Sequence, residues 1–212
     1  MTGSPYSGFY QACNDVGGMS AYAWDDDPKR LAFTLARYKH TAKILAGYDK
    51  VLEIGCSDGY ASRIVSQHVG SLKCIDIDAG AIELAKKKNN SEKWPITFEV
   101  YNPEKLSMFR ANYDACYLLD VLEHIQPHMT PKFLDEVAMI APVCVIGMPS
   151  LESQVYASKL SQEGHVNCRS GDDLKRILKK HWKYVFVFTM HDETLGTSYY
   201  PMAHYLLALC IR

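Results

Sequence analysis

The stretch Val51-Leu52-Glu53-Ile54-Gly55-Cys56-Ser57-Asp58-Gly59 organises the reading of everything around it. A short apolar run with Glu53 near its end breaks into a turn bracketed by Gly55 and Gly59, and a helix-compatible stretch at 60–68 follows. Glycine at both brackets lets the backbone turn sharply and approach a ligand that a Cβ would hold off. The Glu53 carboxylate is placed to pair with a cationic or amino group over the turn. A second strand pattern, Leu72-Lys73-Cys74-Ile75-Asp76-Ile77-Asp78, ends in acids. An acid about twenty residues beyond a glycine turn is the usual arrangement for holding a ribose hydroxyl pair. The two segments together predict a nucleoside-cofactor site.

Working outward, Asp25-Asp26-Asp27-Pro28 reads as a helix start, with an Asp cap, negative charge at the positive dipole end and proline in the first turn. Leu31, Leu35, Tyr38, Ala42 and Leu45 then recur at helical spacing until Gly47 stops the run. Strand patterns fall at 50–54, 72–77, 96–100, 113–119 and 143–147, with helices at 60–68, 79–89 and 131–139. An amphipathic helix at 171–181 and two strands, at 184–190 and 204–211, complete the chain. Alternating strands and helices imply an α/β fold with a parallel sheet, right-handed crossovers and helices on both faces. The closing strand–loop–strand pair suggests that the last strand inserts antiparallel. Residues 1–24, rich in Gly, Ser and Tyr, read as an irregular arm, which divides the chain into an arm over 1–27 and one domain over 28–212.

Composition narrows the function classes. The 212 residues suffice for one domain with a sizeable core, and 48% apolar with 22% charged residues is ordinary for a globule. A net charge of −1 argues against a dedicated nucleic-acid binder, though a local basic patch is compatible with it. No apolar run reaches the twenty or so residues that span a bilayer, and Met1–Tyr10 lacks a basic segment with an apolar signal core. Seven scattered cysteines without a Cys-x-x-Cys, four of them (Cys74, Cys116, Cys144 and Cys210) in strand-like runs, suit reduced core thiols and a cytoplasmic location.

Three chemistries compete for the turn at 55–59. A dinucleotide site wants Gly-x-Gly-x-x-Gly, but the second and third glycine positions hold Ser57 and Tyr60. A serine hydrolase is the second, because the turn spells Gly-x-Ser-x-Gly with Ser57 as nucleophile. Against it, one helix and one strand candidate precede the turn and no oxyanion-loop segment is present. The third is a methyl transferase. The turn is similar to the first motif of the class I S-adenosylmethionine-dependent methyltransferases, acid-x-Gly-x-Gly-x-Gly, with Glu53, Gly55 and Gly59 in place and Ser57 replacing the middle glycine.

The resemblance runs through the chain in order. Asp76 falls where the family's ribose-binding acid is expected, and Asn102 where the family often has an acid beside the adenine. Residues 113–124, from Tyr113-Asp114 to Leu119-Asp120-Val121-Leu122-Glu123-His124, resemble the fourth motif, including the Glu-His pair of ubiquinone-biosynthesis-like O-methyltransferases. Gly164-His165-Val166 also recurs in that subgroup. The resemblance implies a seven-stranded, mostly parallel Rossmann-like sheet with the last strand antiparallel, and S-adenosylmethionine as cofactor. It implies cofactor contacts from Glu53, Gly55, Cys56, Ser57, Gly59, Asp76, Ile77, Asn102, Leu119 and Asp120.

The implied reaction is methyl transfer to a hydroxyl of a small molecule or saccharide. Glu53 would orient the methionyl portion or the first loop, and Asp76 the ribose hydroxyls, with Asp78 as the other candidate. A hydroxyl must lose its proton, and histidine, with a reference pKa of about 6.5, suits that task near neutral pH. His124 and His165 are the candidates; His204 reads as structural. His124 and His128 have the spacing of a helical metal pair, yet Pro127 interrupts the helix and no third ligand stands nearby, so no metal is expected. Tyr22 and Trp24 could form a lid or anchor the arm, and Tyr156, Ser158 and Ser161 could bond a polar acceptor. A module that binds the cofactor without transferring methyl is the non-enzyme alternative.

Overall fold

The computed structural model describes residues 18–89 and 93–212, so Cys13 and the first part of the expected arm lie outside the described residues. Gly18–Asp26, expected to be irregular, forms helix α1. Its small and aromatic residues alternate without an apolar stripe, so no period marks it in the sequence. Tyr22 and Trp24 are more than half exposed, which sets aside their reading as anchors. Helix α2, Pro28–Ile44, begins as the Asp-Pro pair predicts: the Asp27 side chain accepts from the Lys29 N–H at 3.1 Å, with proline in the first turn. It stops before Gly47, whose φ of +89° is open to glycine.

Strands β1 (Lys50–Ile54), β2 (Ser71–Asp76), β3 (Ile96–Val100), β4 (Ala115–Leu119) and β5 (Val143–Pro149) are mutually parallel. Helices α3 (Ser62–Ser66), α4 (Ala79–Asn89) and α5 (Thr130–Ala138) connect them, and α6 (Lys159–Gly164) and α7 (Gly171–Leu178) follow β5. The predicted helix at 60–68 shrinks to five residues because the glycine turn runs on through Ala61. Strand β6 (Tyr184–His191) turns back through the short β7 (Thr194–Gly196), and β8 (Tyr205–Ile211) ends the chain. The sheet order is β3-β2-β1-β4-β5-β8-β6-β7. Strand β8 pairs antiparallel with both β5 and β6, as the sequence suggests. The sheet has eight strands where seven were expected; three residues of β7 are too short to show a period.

The central strands are buried on both faces, which explains their continuous apolar runs. Leu52, Ile54, Leu118 and Ile146 pack with Leu134 of α5 and Leu174 of α7 on one face. Val51, Tyr117 and Val145 pack with Ala42 of α2, Val65 of α3 and Ile82 of α4 on the other. Cys74, Cys116, Cys144 and Cys210 are buried and free.

The glycine turn is held tightly from outside. Gly59 sits at φ +68°, and a Cβ there would lie 2.2 Å from Cε1 of Phe98 on β3. Gly59→Ala must accept a left-handed backbone and displace a buried ring, together costing about 2 kcal/mol. Thermal unfolding should show a melting temperature lower by about 4–8 °C. An unchanged melting temperature would mean that the ring yields freely.

Candidate functional site

Parallel strands bring the carboxyl ends of β1, β2, β4 and β5 to one edge, where ligands of open α/β sheets sit. The turn after β1 is fixed by the end of β2. Gly55 N–H donates to the Ile75 carbonyl at 2.8 Å and Cys56 N–H to the same oxygen at 3.2 Å. Ser57 has φ +50°, an unfavourable region for a residue with a Cβ, and its N–H donates to Asp76 Oδ2 at 2.7 Å. Gly55 is at φ +80°, and a Cβ there would lie 2.3 Å from Val121 Cγ2, so it also lets the loop after β4 approach.

Asp76 ends β2 with both oxygens facing this edge. Its Oδ1 accepts the Asp78 N–H at 2.9 Å while Oδ2 holds Ser57, so each oxygen spends one acceptor site inside the protein and retains another for a ribose diol. Asp78, the other candidate, caps α4: its Oδ1 accepts the N–H groups of Gly80 at 2.8 Å and Ala81 at 3.1 Å. Ile77 between them is 62% exposed, an apolar surface beside the acid of the kind a flat base can cover. Asn102, exposed just beyond β3, accepts the Glu104 N–H through its Oδ1 at 2.9 Å and opens a 3₁₀ turn at Pro103–Phe109.

Glu53 lies under the turn and not over it. It is 1% exposed; Tyr38 Oη of α2 donates to Oε1 at 2.8 Å, and Cys74 Sγ to Oε2 at 3.1 Å. Burial raises the carboxyl above its ordinary range, against hydrogen bonds that favour the charge. These contacts tie α2 and β2 to the strand that leads into the turn. Cys56 is likewise buried, and Leu119 fills the end of β4.

Asp120 follows β4 with φ +56°. Arg37 Nη1 of α2 reaches its oxygens at 3.0 and 2.8 Å, with the guanidinium 3.9 Å above the Tyr205 ring. Burial opposes the Arg37 charge, and Asp120, Tyr205 and Glu123 together outweigh it, so the net direction is upward. The Asp120 partner of Arg37 lies 83 positions away in the sequence.

A 3₁₀ turn at Leu122–His124 then brings the remaining groups together. His124 Nδ1 lies 2.9 Å from the Gly164 carbonyl, an acceptor, so Nδ1 carries a proton and Nε2 is left out of this bond. His165 Nδ1 lies 2.8 Å from Gln154 Oε1, which assigns it the same tautomer. The two rings are 5.1 Å apart, edge to face. Burial and the neighbouring His124 lower the His165 pKa, which favours its neutral form. Asn167 locks the two segments: its N–H donates to the Glu123 carbonyl at 3.0 Å, and its amide to the Leu122 carbonyl at 3.1 Å and Thr130 Oγ1 at 2.9 Å.

Glu123 was quoted in the sequence as part of a motif but given no role. Its side chain is fully buried, and neither carboxylate oxygen has a hydrogen-bond partner among the described residues. Burial and the nearby Asp120 raise its pKa well above the carboxylate range. Cys168 stays a thiol, burial pushing it up to about 12.

The other residues singled out lie apart from this cluster or serve structure. His128 is exposed in the turn before α5. His204 stacks on Phe33 with centroids 5.3 Å apart, in keeping with a structural part. Ser158 caps α6, its Oγ accepting from the Ser161 N–H at 3.2 Å, and Tyr156 is 90% exposed. Ser57 has no histidine hydrogen-bonded to it among the described residues, so the hydrolase reading lacks a base.

Comparison with known proteins agrees with this arrangement. Residues 51–141 match the family model described as "Methyltransferase domain". No curated protein sequence matches the chain. Among solved structures, the methyltransferase domain of bacterial CtHen1 is similar at a TM-score of 0.65 and 14% identity, over 84% of this chain and 98% of that one. Magnesium protoporphyrin IX methyltransferase from Synechocystis PCC 6803, with bound S-adenosylhomocysteine, gives 0.59 and 16% over 87% and 83%. The small RNA methyltransferase HEN1 gives 0.67 and 15%, over 85% of this chain and 26% of that one. The matched segment contains the turn, Asp76 and the Asp120–His124 loop, and the cofactor assigned with it is S-adenosylmethionine. Residues 51–141 thus match a methyltransferase family model, and the chain has the fold of the class I S-adenosylmethionine-dependent methyltransferases.

Proposed function

We propose that the chain transfers the methyl group to a hydroxyl of a polar small molecule or saccharide. One observation supports this most directly: two imidazoles, each fixed by its Nδ1–H, stand side by side at the loop after β4. A carboxylate or amine acceptor has a lone pair ready at neutral pH and needs no such pair; a hydroxyl does. The Glu-His pair and Gly164-His165-Val166 that resemble ubiquinone-biosynthesis-like O-methyltransferases are the residues that meet here.

S-adenosylmethionine supplies the sulfonium methyl and its own thioether leaving group. Asp76 and Ile77 hold the nucleoside end in this reading, and the Gly55–Gly59 turn, braced by Glu53, seats the rest beside Leu119 and Asp120. The protein holds the acceptor oxygen in line with the methyl–sulfur bond, an entropic service. An oxygen lone pair forms the new bond to carbon as the carbon–sulfur pair returns to sulfur. His124 and His165 lower the cost of removing the hydroxyl proton.

The test is a panel of acceptors incubated with methyl-labelled cofactor: sugars, catechols and other hydroxylated small molecules, carboxylic acids, amines, and RNA with a free terminal diol. Label on a sugar or catechol oxygen is the expected result. Label confined to RNA, acids or amines overturns this acceptor class. Cofactor binding with no transfer to any member would favour the non-catalytic module.

A further inference from the structure

We propose that the chain pairs with a second copy of itself along β6, residues 184–188 of one copy running antiparallel to the same residues of the other about a two-fold axis. The inference goes beyond the acceptor reading and uses none of its residues. Strand β8 occupies one edge of β6 along 184–190, whereas β7 covers the other edge only at 189–191. Among the described residues, nothing pairs with the outer edge of 184–188. The backbone N–H and C=O groups on that edge are an open template for another strand.

The residues of this stretch set it apart from the other edges of the sheet. Strand β3, at the far edge, carries Glu99 in an ion pair with Lys73, and β7 has three residues. Charge and shortness are the usual means by which a protein blunts an edge. Residues 184–188 read Tyr-Val-Phe-Val-Phe, with no charge, proline or glycine among them. Such a run forms strands readily and attracts others when left bare. Val185 and Val187 are buried in the core on one face of the sheet. Tyr184 and Phe186, on the opposite face, stay 49% and 50% exposed, in a row with the half-buried Phe188.

Self-complementarity identifies the occupant. A two-fold axis at Phe186 sets Tyr184 of each copy opposite Phe188 of the other, so the two aromatic rows join into one cross-strand ladder. The charges agree with this direction. Exposed Lys179, Lys180 and Lys183 precede β6, and exposed Asp192 and Glu193 follow it. Antiparallel pairing therefore lays the basic end of each copy against the acidic end of the other, in an isologous contact that closes at two copies. Both β5 and β6 run antiparallel to β8 and hence parallel to each other. The cofactor edges of the two copies thus face opposite ways, and both sites stay open.

Sedimentation velocity of the full-length chain at tens of micromolar, without cofactor or acceptor, tests this. Wild type should sediment with twice the mass of one chain. Phe186→Lys replaces an exposed ring by ammonium groups that meet across the axis, and should weaken self-association roughly tenfold or more. Glu193→Lys and the double variant Lys179→Glu/Lys180→Glu should each be monomeric alone and form a heterodimer when mixed. A cooperative melt like that of wild type checks that each variant is folded. A monomeric wild type would mean that the edge takes a strand from a different protein or none, and the proposal falls. Growth beyond two copies, a dimer untouched by Phe186→Lys, or charge variants that fail to combine would each overturn it as well.

Discussion

Methyl transfer by the His124→Ala variant is expected to be about 10²–10³-fold slower than wild type, with S-adenosylhomocysteine binding unchanged. The separation follows from position. His124 sits beyond β4 on the 3₁₀ turn at Leu122–His124, pinned to Gly164, whereas the cofactor acid Asp76 ends β2, across β1 from β4. Because the imidazole acts on the acceptor proton and not on the cofactor, the loss falls on turnover. His165→Ala should act in the same direction, and the double variant should lose much less than the sum, because the two rings serve one acceptor. Single-turnover rates with an identified acceptor check this. Turnover close to wild type in both variants would mean an acceptor that arrives deprotonated, and the hydroxyl reading would fall.

Asp76→Ala should weaken S-adenosylhomocysteine binding about a hundredfold, measured by calorimetry. A hydrogen bond to a charged acceptor contributes about 1.5–3 kcal/mol, and tenfold in affinity corresponds to about 1.4 kcal/mol. The upper part of that range applies because the carboxylate has a second duty: it holds the Ser57 N–H at 2.7 Å and so steadies a left-handed residue in the cofactor turn. Asp76→Asn separates the two duties. Its side-chain oxygen still accepts one N–H, but its amide cannot accept from a ribose hydroxyl, so an intermediate loss is expected. Undiminished affinity in Asp76→Ala would move the ribose elsewhere, and Asp78, already committed to the cap of α4, would be a poor substitute.

The strands were legible because buried parallel strands leave dense apolar runs between turn residues, and 50–54 and 96–100 fall where they were expected. The cofactor edge was legible for a related reason: a turn with residues at positive φ needs glycine at a fixed distance from the strand before it. What stayed hidden lacked a local signature. Helix α1 has no apolar stripe and β7 has three residues. The capping of α4 by Asp78 depends on two N–H groups that no sequence period marks. The histidine cluster was half visible, since both rings were named, but the 41-residue interval gives no hint that they touch. Spacing directed attention to His128, four residues on, when the residue gathered with the two rings is Glu123, the immediate neighbour of His124.

Strand β8 lies between β5 and β6 although it follows both in the chain. Its pairs with β5 run from Val143↔Ile211 to Pro149↔Tyr205, so this half of the sheet closes over a long loop of chain. Such closure is entropically slow, and until it happens β5 and β6 each present an apolar, unpaired edge to other molecules. The same strand begins with Tyr205, on which Arg37 rests, just after Ala203, whose carbonyl accepts from Ser150 Oγ at 2.6 Å. Insertion of one strand therefore ends this period of aggregation risk and completes the contacts around Arg37 and Ser150 together, tying the finished loops after β4 and β5 to the escape from misassembly.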